Sequence, residues 1–393
     1  MKNFVFQNKT KIYFGKGQIV NLRKEITKFG KKALLVYGGG SIKKTGVYDE
    51  VVNELKEAGV EFLELSGVEP NPRHTTVNKG AKICKDNGID VILAVGGGSV
   101  IDCAKCIAAA AKYEGDDSWD LVSSKATVTS TLPLISIPTI AATGSEMNGG
   151  CVISNMNLNM KMSYSAPDNN PDVSFLDPTY TYSVNKYQTA SGSADIMAHI
   201  FDLAYFSTED SMDMLLRIQE EVLKTVVKYG PIAINEPNNY EARANLMWAS
   251  TWALNGFMYD GLKRKGLCHA IDHQLSAYYD ITHGHGLAII IPRWLRYILN
   301  DETAPRIYRF GINVMGLKEN PNIMDGAIDA IDSLEDLFYN KFGLPSRLSD
   351  LGIDDKCFSL MADKAVKSRG DTKLYGFTVI DYNDVINILR MCL

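Results

Sequence analysis

Nothing in this sequence is long and apolar enough to cross a bilayer. The most apolar windows, residues 91–95 and 107–111, run into Gly or Lys, far short of the roughly 20 residues a membrane helix needs. In the first nine residues polar types break the apolar ones after three at most, where a secretory signal would carry a continuous apolar core. Neither membrane nor export is therefore expected. Cysteine is scarce and odd in number, seven in all, at 84, 103, 106, 151, 268, 357 and 392. That scatter argues against a disulfide framework and for a reducing cytoplasm. Cys103 and Cys106 form a C-x-x-C in an Ala-rich helical stretch and read as buried structural thiols rather than a redox pair. There is no excess of positive charge either. Lys and Arg number 41 against 46 Asp and Glu, a net charge of −5, so nucleic acid is not an expected partner.

What is present is ordinary globular composition, 46% hydrophobic and 22% charged over 393 residues. At roughly 150 residues per domain this length argues for two or three domains. Short strands are expected over 4–6 and 11–14, flanking a turn at Asn8-Lys9. Apolar strand-length segments follow at 33–37, 60–65, 91–95 and 133–137, alternating with helical spacing over 48–58, 77–87 and 100–112. Strands apolar on both faces and separated by helices predict a parallel sheet covered on both sides. Beyond Asp177-Pro178 helical patterns dominate, over 190–206, 211–229 (ending at Gly230-Pro231), 240–256, 267–279 and 286–299. The expected organisation is an α/β dinucleotide-binding domain over 1–180 and an all-helical metal-binding and substrate domain over 181–393, with a small-ligand cleft between them.

Three loops after strand-like segments carry cofactor chemistry. Gly96-Gly97-Gly98-Ser99-Val100-Ile101-Asp102 opens a helix. Glycines admit an anion to the backbone, and a helix N-terminus offers N–H groups and the positive end of a dipole. A plain tight turn would have the same glycines, and this is not the G-x-G-x-x-G pattern. Thr139, Thr143, Gly144 and Ser145 follow another buried strand and present hydroxyls suited to phosphate and ribose oxygens. Tyr37-Gly38-Gly39-Gly40-Ser41-Ile42-Lys43-Lys44 follows the first core strand. An acid there would bind a ribose 2′-hydroxyl and repel a 2′-phosphate. This stretch has no acid and two lysines, which permits NADP.

The six histidines are 74, 199, 269, 273, 283 and 285, and four of them fall within residues 269–285. Asp195 and His199 are spaced i, i+4 on a helix and share a face, as do His269 and His273. His283 follows in His283-Gly284-His285-Gly286. Asp195, His199, His269 and His283 make an N₃O donor set without thiolate, suited to divalent iron or zinc.

Together these segments resemble the iron-containing alcohol dehydrogenase family over essentially the whole chain, most closely its butanol dehydrogenase branch. The matching pieces are Phe14-Gly15-Lys16-Gly17, the Gly96–Ser99 loop with Asp102 and Lys105, Pro138-Thr139 through Glu146, Asp195 with His199, and His269, His273 and His283-Gly284. The branch is marked by the Tyr37–Lys43 stretch, by Gly67-Val68-Glu69-Pro70-Asn71-Pro72 and by Ser276-Ala277-Tyr278-Tyr279-Asp280-Ile281-Thr282-His283-Gly284. The resemblance implies a dehydroquinate synthase-like architecture and a reversible alcohol–aldehyde oxidoreductase acting on short- to medium-chain primary alcohols such as butanol. It implies metal on Asp195, His199, His269 and His283. It implies a cofactor held by Gly38, Gly39, Ser41, Asn71, Gly97, Gly98, Ser99, Asp102, Thr139, Thr143, Ser145 and Lys161. NADP(H) is favoured by the missing acid at Gly38, with NAD(H) open. His273, one turn after a ligand, is the expected proton relay, directly or through water. His285 receives no role. A homodimer is expected. A lyase of the dehydroquinate synthase type would instead need Lys and Arg facing the metal. None stands within 195–199 or 269–285, although Lys263, Arg264 and Lys265 lie just upstream. A non-catalytic binding protein would have lost a ligand or a glycine, and none is lost.

Overall fold

The structure, a computed structural model, describes residues 3–262, 266–368 and 370–393. The chain forms two compact units, Gln7–Val184 and Asn185–Leu393, and residues 3–6 belong with the second.

The first unit has strands β1 (Lys11–Phe14), β2 (Lys32–Tyr37), β3 (Glu61–Leu65), β4 (Val91–Gly96), β5 (Leu134–Pro138), β6 (Gly150–Asn155), β7 (Met160–Ser165) and β8 (Val173–Leu176). Six of them make one sheet in the order β1-β8-β5-β4-β2-β3, with every pair parallel. Alternate residues feed two separate cores, as a period of two requires. Leu34, Val36, Ile92 and Ala94 face one core, and Ala33, Leu35, Leu93 and Val95 the other. Helix α1 (Val47–Glu57) covers the second face, while α2 (His74–Asn87) and α3 (Gly98–Ala110) cover the first. Cys103 and Cys106 lie buried in α3 as free thiols, the structural role their Ala-rich setting predicts.

The strand order places the functional loops. From β2 the chain steps outward to β3, then returns to β4 on the other side of β2. The loops leaving β2 and β4 therefore part from each other at a topological switch point, where open parallel sheets receive ligands. Tyr37 pairs in register with Val95, and Gly96 with Pro138. The three loops picked out in the sequence thus leave the sheet side by side.

The second unit is built on α4 (Lys186–Leu203), α5 (Asp213–Asn235), α6 (Tyr240–Ala253), α7 (Leu267–Tyr279) and α8 (His283–Ile298), with further helices to Met391. One two-residue antiparallel pair, β9 (Leu374–Tyr375) with β10 (Val379–Ile380), interrupts them. Two expectations fail here. Residues 4–6 form no strand. Side-chain packing holds them instead, Phe6 edge-on to Phe257 at 5.7 Å and Phe4 against Gly261, where a Cβ would come within 2.7 Å. Helix α5 does not end at Gly230-Pro231 but runs on to Asn235. Proline costs one backbone bond there, and burial of Ala233 and Ile234 beyond it carries the helix on. Pro292, inside α8, leaves the carbonyl of Ala288 four residues earlier without an N–H. The Tyr339 hydroxyl, on a π-helical turn over Asp336–Lys341, donates to that carbonyl at 2.9 Å.

Candidate functional site

Helix α4 is buried over residues 189–202 without a break. Asp195, His199 and Asp202 on it cannot be solvated, so each needs a partner. Helices α7 and α8 pack together, and α8 packs on α4. The glycines either side of His285 permit this. A Cβ at Gly284 would stand 2.0 Å from the Ser191 carbonyl oxygen, and one at Gly286 1.9 Å from Asp272 Oδ1. The first turn of α8, bearing His283, is thereby pressed against both neighbours.

One ligand atom each from Asp195, His199, His269 and His283 lies within 4.8 Å of the others. Asp195 Oδ1 stands 3.7 Å from Nε2 of His199 and equally far from Nε2 of His283, beyond a hydrogen bond. Asp195 Oδ1 and His269 Nε2 are buried without a hydrogen-bond partner, which is costly unless something else satisfies them. Burial pulls His199 down to about 4 against the opposing pull of Asp195, with His269 and His283 adding to the fall. Its ring is neutral at neutral pH and has a lone pair to give. Converging oxygen and imidazole donors, with Asp195 Oδ1 and His269 Nε2 buried and unpartnered, fit a divalent metal.

Two carboxylates that the sequence reading passed over set the rings. Asp202 Oδ2 accepts from the backbone N–H of His269 at 2.9 Å and from its Nδ1 at 2.8 Å. Asp272, fully buried, accepts from Nδ1 of His283. A carboxylate can only accept, so both rings carry the proton on Nδ1 and turn a bare Nε2 towards Asp195. Each acid stands three residues after a donor histidine, a pattern visible in the sequence, although the pairing crosses between helices. His273 is half-buried, its ring centroid 5.6 Å from that of His283. His285 lies off the cluster. Its Nε2 donates to the Pro345 carbonyl at 2.9 Å, and its Nδ1 accepts from the Tyr187 hydroxyl at 3.0 Å. Lys263, Arg264 and Lys265 lie outside the described residues.

In the first unit, α3 begins at Gly98 with Gly97 as its cap and no side-chain capping bond, so Ser99 sits in the first turn. A Cβ at Gly98 would fall 2.4 Å from Thr143, and one at Gly97 3.0 Å from Ile140. The loop after β4 therefore lies directly against the loop after β5. Thr139 donates its backbone N–H to Gly96 at 3.0 Å. Ser145 and Asp102 sit behind this surface. The Ser145 hydroxyl donates to Asp102 at 2.6 Å and accepts from Lys105 at 2.8 Å, and Asp102 also accepts from the Val152 N–H at 2.9 Å. Burial brings Lys105 down to about 8 despite Asp102. Lys161, on β7, donates to Asn71 Oδ1 at 2.8 Å, and both are buried. Gly38 has room for a Cβ 3.4 Å from the Val68 carbonyl, and a Cβ at Gly39 would meet nothing within 4 Å. Ser41 opens the short helix Ser41–Lys44. The loop is less free of acid than its own sequence, because Glu64, on β3, reaches Lys43 at 3.5 Å.

Among the described residues no helix is long and apolar enough to cross a membrane. The family described as iron-containing alcohol dehydrogenase matches residues 9–178, and its C-terminal part, described as Fe-containing alcohol dehydrogenase family, C-terminal, matches residues 189–393. The chain is 49% identical over 390 residues to the NADH-dependent butanol dehydrogenase B of Clostridium acetobutylicum, covering 99% of each. It is 36% identical over 376 residues to the NADPH-dependent aldehyde reductase YqhD of Escherichia coli, covering 95% of each. A crystal structure of the NADH-dependent butanol dehydrogenase A from Thermotoga maritima matches with a TM-score of 0.93 and 38% identity, covering 100% of this chain and 99% of that one.

A parallel sheet with its loops at a switch point, followed by helices bearing an N₃O cluster, defines a two-unit, metal- and nicotinamide-dependent oxidoreductase. The chain belongs to the iron-containing alcohol dehydrogenase family, in its butanol dehydrogenase branch. Its activity is that of an NAD(P)-dependent alcohol dehydrogenase and aldehyde reductase that uses a divalent metal.

Proposed function

We propose that this enzyme interconverts short- to medium-chain primary alcohols, butanol among them, and their aldehydes, with NADH as its preferred reductant. The observation that carries the reading is the convergence of unpartnered donors at Asp195 and His269 with His199 and His283. Asp195, His199, His269 and His283 would hold Fe²⁺ or Zn²⁺. When bound, the metal supplies Lewis-acid polarisation of a carbonyl oxygen, and the nicotinamide supplies the hydride.

The chain's own residues supply the rest. Asp202 and Asp272 keep the Nδ1 protons of His269 and His283 in place, so both Nε2 lone pairs stay available. Gly97, Gly98 and Ser99 offer backbone donors at the start of α3 to the pyrophosphate. Thr139, Thr143, Asn71 and Lys161 serve the nicotinamide side, and Gly38, Gly39 and Ser41 the adenosine ribose. Asp102 and Ser145 act from behind, bonded directly to each other with Lys105 on Ser145, to hold the β4 and β5 loops together. His273 stands beside His283 to deliver or remove the proton on the product oxygen. No side chain needs to act as a nucleophile.

The acid-free glycine loop taken alone favours NADP(H). Support for NADH comes from the relatives, since those at 49% and 48% identity are named NADH-dependent and the NADPH-dependent one stands at 36%. A cytoplasmic homodimer completes the reading. The seven free thiols suit a reducing compartment, and β1 has no strand on its outer edge among the described residues, an edge that a second copy can extend. The test is His269→Ala. Loss of metal and of butanal reduction together, with cofactor binding kept, is the expected result, and full turnover without metal overturns the reading.

A further inference from the structure

Lys43 stands in the short helix that follows the Gly38–Gly40 glycines, beside the expected place of a ribose 2′-phosphate, and it is already engaged. Glu64 Oε2 accepts from it at 3.5 Å. Its ammonium lies 5.0 Å from the ring centre of Tyr37 and 4.4 Å from that of Tyr48. Those two rings meet edge to face at 5.9 Å. Their hydroxyls donate to the same carboxylate, Tyr37 to Oε2 at 2.5 Å and Tyr48 to Oε1 at 2.6 Å. Glu64 thus fixes the cage that holds Lys43 from both sides. Burial pushes the Glu64 carboxyl up, but the two tyrosine hydroxyls and Lys43 outweigh it and hold it below its ordinary value, so it is charged at neutral pH.

Glu64 comes from outside the loop. It is the fourth residue of β3, in register with Leu35 of β2. The backbone beyond ties the two strand ends together, with Gly67 N–H on the Gly38 carbonyl at 3.0 Å and Val68 N–H on the Tyr37 carbonyl at 3.2 Å. An acid on the neighbouring strand therefore stands where the loop itself has none.

We propose that Glu64 is a specificity-determining residue for the cofactor: by occupying Lys43 and adding its own negative charge, it favours a ribose with a free 2′-hydroxyl over one with a 2′-phosphate. This rests on the reading that the loop after β2 receives the adenosine ribose. A 2′-phosphate meets a cation already paired and a carboxylate that repels it. A hydroxyl suffers neither effect.

The test uses fragments, so it is independent of turnover. Binding of 5′-AMP and of adenosine 2′,5′-bisphosphate is measured by calorimetry on the full-length protein. Glu64→Gln keeps an amide oxygen for one tyrosine hydroxyl and releases Lys43. The ratio of bisphosphate to 5′-AMP affinity is expected to rise ~2–5-fold, the scale of one partly exposed charge pair. Adding Lys43→Met to Glu64→Gln is expected to cancel most of that rise. An unchanged ratio in Glu64→Gln, or a rise that survives Lys43→Met in full, overturns the proposal. Gly38→Asp tests the underlying reading separately, since an acid in the loop itself must weaken the bisphosphate. If Gly38→Asp moves neither affinity, the loop does not receive the ribose. If it acts and Glu64→Gln does not, the assignment of Glu64 alone is wrong.

Discussion

Asp272→Asn is the sharpest perturbation of the metal centre, because it touches no donor atom. Asp272 is fully buried, and its Oδ2 takes the Nδ1 proton of His283. Its other oxygen has no hydrogen-bond partner and lies where a Cβ on Gly286 would be 1.9 Å away. An asparagine there has two choices. With its oxygen towards His283 it keeps a neutral bond in place of a charged one, and its NH₂ is buried where the backbone of α8 leaves little room. With its NH₂ towards His283 it donates to Nδ1, which drives the proton onto Nε2 and removes a lone pair from the donor set. Losing a bond to a charged group costs about 1.5–3 kcal/mol. That agrees with the ~10–100-fold loss of metal affinity typical when the carboxylate behind a ligating imidazole is removed. Chelator competition measures it directly. The expected result is a metal Kd raised ~10–100-fold, with much of kcat recovered once metal is saturating. Asp202→Asn should weaken metal similarly and lower the stability of the metal-free protein as well, because Asp202 also receives the backbone N–H of His269. If Asp272→Asn holds metal as tightly as the native enzyme, Asp272 does not set the His283 tautomer.

Three further outcomes are expected. Tyr339→Phe orphans the buried Ala288 carbonyl, at a cost of about 1–3 kcal/mol in urea unfolding; in a Pro292→Ala background, where residue 292 again has an N–H, most of that cost should vanish, and an equal cost in both backgrounds refutes the pairing. His273→Gln should keep stoichiometric metal and lower kcat by ~10²–10⁴-fold if the ring relays the proton, with metal analysis beside kcat over pH as the check; lost metal would make His273 a ligand. Glu25 is pushed up by burial, but hydrogen bonds from Lys11, Lys28 and Tyr13 outweigh this and bring it from 4.5 to about 2. A depressed folded value means its stabilisation is complete above pH 4.5 and is lost as pH falls towards 2, so Glu25→Gln should flatten the fall of Tm across that window, and an unchanged slope would count against the network.

Signals carried by one segment were legible in the sequence, and signals made by two segments were not. β4 is apolar at every position because both its faces are covered, so its run of valine, isoleucine, leucine and alanine announces a central parallel strand. The i, i+4 spacing of Asp195 and His199 announces a shared helix face. Residues 4–6, an apolar Phe-Val-Phe, read as a short strand yet sit on Phe257 and Gly261, because an apolar run records only that side chains are covered, not whether a ladder partner exists. Pro231 read as a stop because its local cost is visible, whereas the burial that repays it, at Ala233 and Ile234, depends on the rest of the unit. Charge misled in the same way. The Tyr37–Lys44 stretch has no acid, yet Lys43 stands beside Glu64, 21 residues on. His269 and Asp202 are 67 residues apart. What can be read in advance is that buried polar groups such as Asp202 and Asp272 must find partners. A carboxylate three residues after His199 and another three after His269 were therefore a demand for a second proton donor, and the glycines of His283-Gly284-His285-Gly286 marked where a second helix had to come close enough to supply one.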